Sequence, residues 1–355
     1  MKDWKQLILD VFAPKKDETF IILNDYSESE ADESDEQRKQ MVEEWYETIK
    51  KMGFKAQPVI YYEPTGGHGS PLPDKAEQNN KLIDFQKTLN SLNKKNIVLA
   101  ITKFSATGPL FSRLEKQQFR SATMPGATPD MEAFNADYKL VAKKAKVLAE
   151  KLDKANAAVV AFSTGHEVYF DLREREVHGE GGICHKPGVG TNLPAGEAYV
   201  TPKDIKGSKT KGYIPVYYDN HLVVYEVQEN RIIDVITDSP KSREMQQYFK
   251  EDPIRGNIAE LGFGCNDKAV FVDNVLQDEK IEGMHWAYGY NKYMGGSIDV
   301  SDFKDPLSAI HMDIIYTKEA RIKIHKVTLV YPDKSREVIM ENSRYSFNIK
   351  KLFNS

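Results

Sequence analysis

The strongest constraint on the fold is a change of hydrophobic period near residue 150. Before it, short apolar runs alternate with amphipathic stretches. TFIILNDY (19–26), AQPVIYYE (56–63) and NIVLAITK (96–103) read as buried strands. DEQRKQMVEEWYETIKKMGF (35–54) and KAEQNNKLIDFQKTLNSL (75–92) read as helices, the first closed by a glycine. This order predicts an α/β N-terminal domain, a parallel sheet with flanking helices. SESEADESDE (27–36) reads as an acidic, solvated loop, and ATMPGATPD (122–130) as a turn-rich stretch. A long amphipathic helix, 131–155, follows as the joint.

Beyond it, strand patterns dominate: AAVVAFST, HEVYFDL, GYIPVYY, HLVVYEVQ, RIIDVITD, KAVFVD, MDIIYT, ARIKIHKVTLVY and REVIM, with turns at YYDN and YPDK. One helix, SREMQQYFKED, interrupts them. The expectation is an α+β, β-rich antiparallel catalytic domain, with domains at 1–150 and 151–355. A chain of 355 residues is long enough for two cores.

Composition excludes several classes. A formal net charge of −4 supplies no broad basic field for nucleic acid. No apolar run is long enough to span a membrane, and MKDWKQLILDVF lacks the features of a signal peptide. Two distant cysteines, Cys184 and Cys265, make neither a disulfide framework nor a Cys-x-x-Cys zinc site. The expected setting is cytoplasmic, with no nucleic-acid or membrane partner. GEGGICHKPGVG (179–190) lacks the strand-then-helix context of a phosphate loop and reads as a loop, and His68 in EPTGGHGSP reads as a surface residue.

Four segments of the second half place a metal-ligating side chain beside small residues. In SAIHMDIIY (308–316), His311 and Asp313 stand two apart among strand formers. On a strand both project from one face. They are either an internal hydrogen-bonded pair or two ligands of one metal. In GNIAELGFGCN (256–266), Glu260 lies in an apolar, glycine-flanked stretch. A carboxylate there must be paired or coordinated. In EGMHWAYGYNKYMGG (282–296), His285 is either an aromatic-packed core histidine or a ligand, and Tyr288, Tyr290 and Tyr293 offer hydroxyls. In NLPAGEAYVTP (192–202), Glu197 is either a surface carboxylate or a ligand at the start of a strand. Two histidines and one carboxylate can hold one metal with open positions. With Glu197 and Glu260 added, the set can hold two divalent ions that activate a water for amide hydrolysis.

The order GEAYVTP, AELGFG, MHWAYG, IHMD resembles the two-metal aminopeptidase T family of thermophilic metallo-aminopeptidases and its leucyl aminopeptidase-like relatives, over roughly residues 115–330. The resemblance places the metal ligands on Glu197, Glu260, His285, His311 and Asp313. It makes Glu260 the bridging carboxylate, with two zinc, cobalt or manganese ions as cofactors and no other cofactor. It implies a cytoplasmic homodimer whose substrates are short peptides shortened from the N-terminus. The family's tyrosine, seven residues after the first histidine, meets Lys292 here, and Tyr293 beside it would take the catalytic role. The same motifs also resemble the 2,5-dihydroxypyridine dioxygenase branch. Its single Fe(II) would need only His285, His311 and Asp313. A non-catalytic relative that keeps the fold is the third expectation.

Overall fold

In the computed structural model, which describes residues 2–29, 31–218 and 220–354, the chain divides into two units. The first comprises residues 1–142, 180–195 and 268–278, and the second 143–179, 196–267 and 279–355. The break at 142/143 falls inside the helix Tyr138–Asp153.

The first unit is built on a mixed sheet. Its path runs Gly190–Asn192, Arg120–Pro125, Asn96–Thr102, Thr19–Asn24, Ile60–Tyr61, Lys75–Gln78, Lys81–Asp84. Pairings are parallel as far as Ile60–Tyr61 and antiparallel beyond it. Alternate residues of the same strands enter two different cores. Phe20, Ile22, Ile97 and Leu99 enter one, and Ile21, Leu23, Val98 and Ala100 the other. Burial on both faces is why these strands are continuous apolar runs in the sequence.

Several local readings are corrected. KAEQNNKLIDFQKTLNSL is not one helix. Lys75–Gln78 and Lys81–Asp84 form a hairpin, and only Phe85–Ser91 is helical. Asn79 and Asn80 both take positive φ (53° and 57°), the geometry that a tight hairpin turn demands and asparagine tolerates. AQPVIYYE is split into Lys55–Ala56 and Ile60–Tyr61 around Pro58, which has no N–H to give to a ladder. The turn-rich ATMPGATPD begins inside a buried strand, Arg120–Pro125, because a neighbouring parallel strand on each side satisfies its backbone. Part of the acidic loop is a helix start. The helix Glu33–Lys51 opens with a capping box of Asp32 and Asp35, and Asp35 also pairs with Arg38 and Lys103. Glu30 of that loop lies outside the described residues. KAVFVD is no strand, and its Val270, Phe271 and Val272 are exposed.

The second unit packs two sheets around one core. An eight-stranded antiparallel sheet runs Arg231–Val235, His221–Gln228, Lys211–Tyr218, Glu167–Asp171, Ala157–Phe162, Ile324–Val330, Arg336–Glu341, Arg344–Tyr345. A five-stranded sheet runs Val177–Glu180, Glu197–Val200, Ile258–Gly264, Gly283–Gly289, His311–Thr317. Leu261, Phe263, Met284, Trp286, Tyr288 and Tyr316 of the smaller sheet meet Val160, Phe170, Ile214 and Val223 of the larger. Each such fully buried aliphatic or aromatic side chain contributes about 1.5–3 kcal/mol. The polar ends are satisfied too: Trp286 Nε1 donates to the Tyr316 hydroxyl (3.2 Å), which donates to the carbonyl of Pro215 (2.8 Å).

Candidate metal centre

The five-stranded sheet has one apolar face and one chemical face, and strand alternation assigns every residue to one of them. Antiparallel register sets Glu197 opposite Gly264, Gly262 opposite His285, Glu260 opposite Ala287, Ala287 opposite Asp313 and Gly289 opposite His311. These positions share one face, so five potential ligands stand among Gly262, Gly264, Ala287 and Gly289. The intervening Ala198, Leu261, Phe263, Met284, Trp286 and Tyr316 point into the core. A register shift between Ile258 and Glu260 lets Ile258 stay in the core while Glu260 joins the chemical face.

Small residues are required on this face, by a ligand at Gly262 and by passing backbone at Gly264 and Gly289. A Cβ on Gly262 would lie 2.0 Å from His285 Nε2, and one on Gly264 2.1 Å from the carbonyl oxygen of Ile281. Gly289 (φ 118°) lets the chain pass Ile310, whose carbonyl oxygen would lie 1.7 Å from a Cβ there.

All five sequence-selected ligands come together. Glu260 sits at the middle, with Oε1 3.2 Å from His285 Nε2 and Oε2 3.2 Å from His311 Nε2. His285 Nε2 is also 3.0 Å from Glu197 Oε2, and His311 Nε2 is 3.6 Å from Asp313 Oδ1. The ligand atoms fall into two triads, each within 4.8 Å: Glu197, Glu279 and His285 in one, Glu260, His311 and Asp313 in the other. His311 Nδ1 donates to the carbonyl of Tyr290 (2.9 Å), which turns Nε2 inward. Glu197 Oε2 and Asp313 Oδ1 are both buried. Each sits against an imidazole nitrogen, one such pair per triad.

Glu279 and Lys280 were not singled out by the sequence reading. No strand or helix period marks DEKIE (278–282). Yet Lys280 is fully buried, with Nζ 2.5 Å from Glu197 Oε1 and 2.6 Å from Glu279 Oε1.

The charges are strongly coupled. Burial opposes ionisation of Glu197, but the Lys280 ammonium and His285 win and hold its carboxyl down to about 2. Burial, reinforced by Glu197 and Asp313, pushes Glu279 well above the usual carboxylate range. Burial would lower both histidines, but Glu197 and Glu260 raise His285, and Asp313 and Glu260 raise His311, well above 6.5. Without metal, both imidazoles therefore carry protons at neutral pH. A group raised on folding stabilises below its unfolded pKa and loses that contribution as pH rises through its folded value. A depressed carboxyl does the reverse. The metal-free protein is thus expected to melt highest near about pH 4.5, the ordinary Glu value, where Glu197 is ionised while Glu279 and both histidines keep their protons. It loses stability toward pH 2 as Glu197 protonates, and toward alkaline pH as the imidazoles deprotonate. Melting temperature against pH in chelator checks this, and a profile level from acid through alkaline pH would contradict it.

The tyrosines divide. Tyr288 belongs to the opposite face and packs against Phe249 and Trp286 in the core. Tyr290 and Tyr293 lie edge-on to His311, with ring centroids at 6.0 and 5.8 Å. Tyr293 keeps 53% of its surface open. Local burial, then Tyr290, Glu260 and Asp313, push its phenol well above the usual value. It therefore stays protonated and able to donate. His68 is exposed and accepts from the backbone N–H of Ser105 (3.1 Å). Cys265 is buried beside the carboxylates and, with its pKa pushed up by that burial, is no nucleophile.

The sequence matches no protein-family profile and no curated protein. The fold has solved relatives. It is similar to 2,5-dihydroxypyridine dioxygenase from Pseudomonas putida (TM-score 0.65, 14% identity, 97% of each chain). It is also similar to wild-type AmpT, an aminopeptidase T, from Thermus thermophilus (TM-score 0.60, 14% identity, 96% of this chain and 98% of that one). These correspond to the two resemblances carried by the motifs, and both neighbours are enzymes. No helix among the described residues is long and apolar enough to cross a membrane.

Proposed function

We propose that this chain is a metal-dependent aminopeptidase-like hydrolase that removes N-terminal residues from short peptides. The observation that carries the reading is the convergence of buried carboxylate oxygens and imidazole nitrogens into two triads, with Glu197 Oε2 against His285 Nε2 in one and Asp313 Oδ1 against His311 Nε2 in the other. Buried carboxylates gathered this closely are costly, and a divalent cation in each triad would neutralise them. Glu197, Glu279 and His285 would hold one ion, and His311 and Asp313 the other, with Glu260 shared. Oxygen and imidazole donors suit zinc, cobalt or manganese.

Two bound ions would supply a water of lowered pKa and a polarised carbonyl. The chain's own residues do the rest. Glu260 fixes the spacing of the two imidazoles. His311 is kept in the ligating tautomer by the Tyr290 carbonyl. Tyr293 donates its phenolic hydrogen bond to the oxyanion that develops on the scissile carbonyl. Tyr293→Phe is expected to lower kcat by about 10²–10³-fold, the loss seen for a single oxyanion donor, with KM nearly unchanged. A variant with unaltered kcat would remove Tyr293 from the mechanism.

A mononuclear Fe(II) dioxygenase is the second reading, favoured by the Lys280 ammonium that already neutralises Glu197. Metal analysis of protein purified anaerobically, without chelator, separates the two. Two ions per chain with release of N-terminal residues from di- to tetrapeptides supports the hydrolase. One iron with oxygen uptake on a dihydroxypyridine supports the dioxygenase.

A further inference from the structure

The two triads do not see the same electrostatic surroundings. Around Glu260, His311 and Asp313, the groups within reach are carboxylates, the titratable His285 imidazole, the Tyr290 carbonyl and the phenols of Tyr290 and Tyr293. The Glu197, Glu279 and His285 triad contains a fixed cation. Lys280 is wholly buried, and its Nζ touches a carboxylate oxygen of two of the three members. An ammonium held there competes with a divalent ion for the same negative charge and repels it at close range in a medium that screens poorly. Lys280 leaves the donor count intact, because it takes Glu197 Oε1 and leaves Oε2 facing His285. It lowers the charge of the cavity without closing it.

From this we infer that Lys280 is a positioning residue that makes the two halves of the centre unequal: the Glu260, His311 and Asp313 half fills first and tightly, and the Glu197, Glu279 and His285 half takes a second, weaker and exchangeable ion. The inference rests on the two-metal reading and specifies how that centre is loaded. Lys280 orients Glu197 through Oε1 and sets the free metal concentration at which the second ion enters. The chain then exists as a one-ion form over a range of metal concentration, and the two-ion form appears only above it.

The test is Co2+ titration of chelator-stripped full-length protein, followed by calorimetry and by the visible spectrum of the bound ion, neither of which depends on turnover. Wild type is expected to bind one ion at least about tenfold tighter than the second, the scale on which a single outer partner alters metal affinity. Lys280→Met should tighten the second step by about ten- to a hundredfold. Lys280→Arg, which keeps the charge, should leave the two steps apart. If Lys280→Met does not fold, Asp313→Ala and Glu197→Gln isolate the halves. The half left in Asp313→Ala must then bind Co2+ at least about tenfold more weakly than the half left in Glu197→Gln. Two equal tight steps in wild type, or a Lys280→Met variant whose second step is unchanged or weaker, overturns the inference and leaves the two-metal reading standing. No bound Co2+ in any protein overturns both. A single step in wild type that becomes two in Lys280→Met supports the electrostatic role of Lys280 while removing the two-metal reading of the native chain.

Discussion

Replacing Glu260 by alanine is expected to empty both halves of the centre while leaving the fold in place. Glu260 is the one side chain that reaches both imidazoles, at 3.2 Å through different oxygens. Losing either histidine or Asp313 disables one half, but losing Glu260 takes a donor from each. Affinity in each half should fall by at least about a hundredfold, since an outer partner alone is worth 10–100-fold. Turnover of peptides should fall by at least about 10³-fold, beyond the loss of a single oxyanion donor. The fold survives because the consequences are local. Histidine can shed its proton and become neutral, so no buried charge is stranded. The strand keeps its ladder on both sides, and Leu261 and Phe263 still fill the core. Metal analysis and circular dichroism on the same preparation check both parts. Two ions retained by Glu260→Ala would mean that Glu260 is a neighbour of the centre and not its bridge. Glu260→Gln, with one neutral oxygen, should keep at most one ion.

How much of this was legible in the sequence depends on whether a residue's neighbours are set by period or by the chain's return. His311 and Asp313 were legible because strand period alone puts them on one face. Glu260 stood out as a carboxylate in an apolar, glycine-flanked stretch, whereas His285 was open between core and ligand until the resemblance selected it. Glu279 and Lys280 were not legible. They precede the strand Gly283–Gly289 in an irregular stretch, and their burial depends on where that stretch returns against Glu197. The β-rich character after residue 156 was likewise readable, but the Asn79–Asn80 hairpin was not, because its flanks carry a polar pattern that suits a helix equally well. There the turn residues, not the period, carry the information. Lys268–Asp273 failed the opposite way. Its Ala-Val-Phe-Val run has strand propensity, but no neighbouring strand pairs with it, and propensity without a partner decides nothing.

The chemical face itself supplies the last expected result. Gly262→Ala adds one methyl group to a site where it would lie 2.0 Å from His285 Nε2 and 2.3 Å from Cε1. Backbone strain is not at issue, since Gly262 lies in a regular antiparallel ladder between Tyr199 and His285. The methyl group must displace the imidazole. His285 has little room to yield, because Met284 and Trp286 on either side are locked into the core and Glu197 and Glu260 flank its ring. Overpacking of this kind costs about 1–3 kcal/mol of stability. A displacement of about 1 Å at a reacting centre lowers rate by about 10²-fold. Gly262→Ala should therefore remain folded, melt a few degrees lower, lose affinity in the half containing His285, and lose about 10²-fold in kcat. The Glu260, His311 and Asp313 half should bind its ion as before, because no atom of His311 or Asp313 is among the three nearest to the added group. If both halves weakened equally, the two triads would share one rigid frame. If neither changed, His285 would not be held where Gly262 allows it, and the spacing of the glycines would have no chemical purpose.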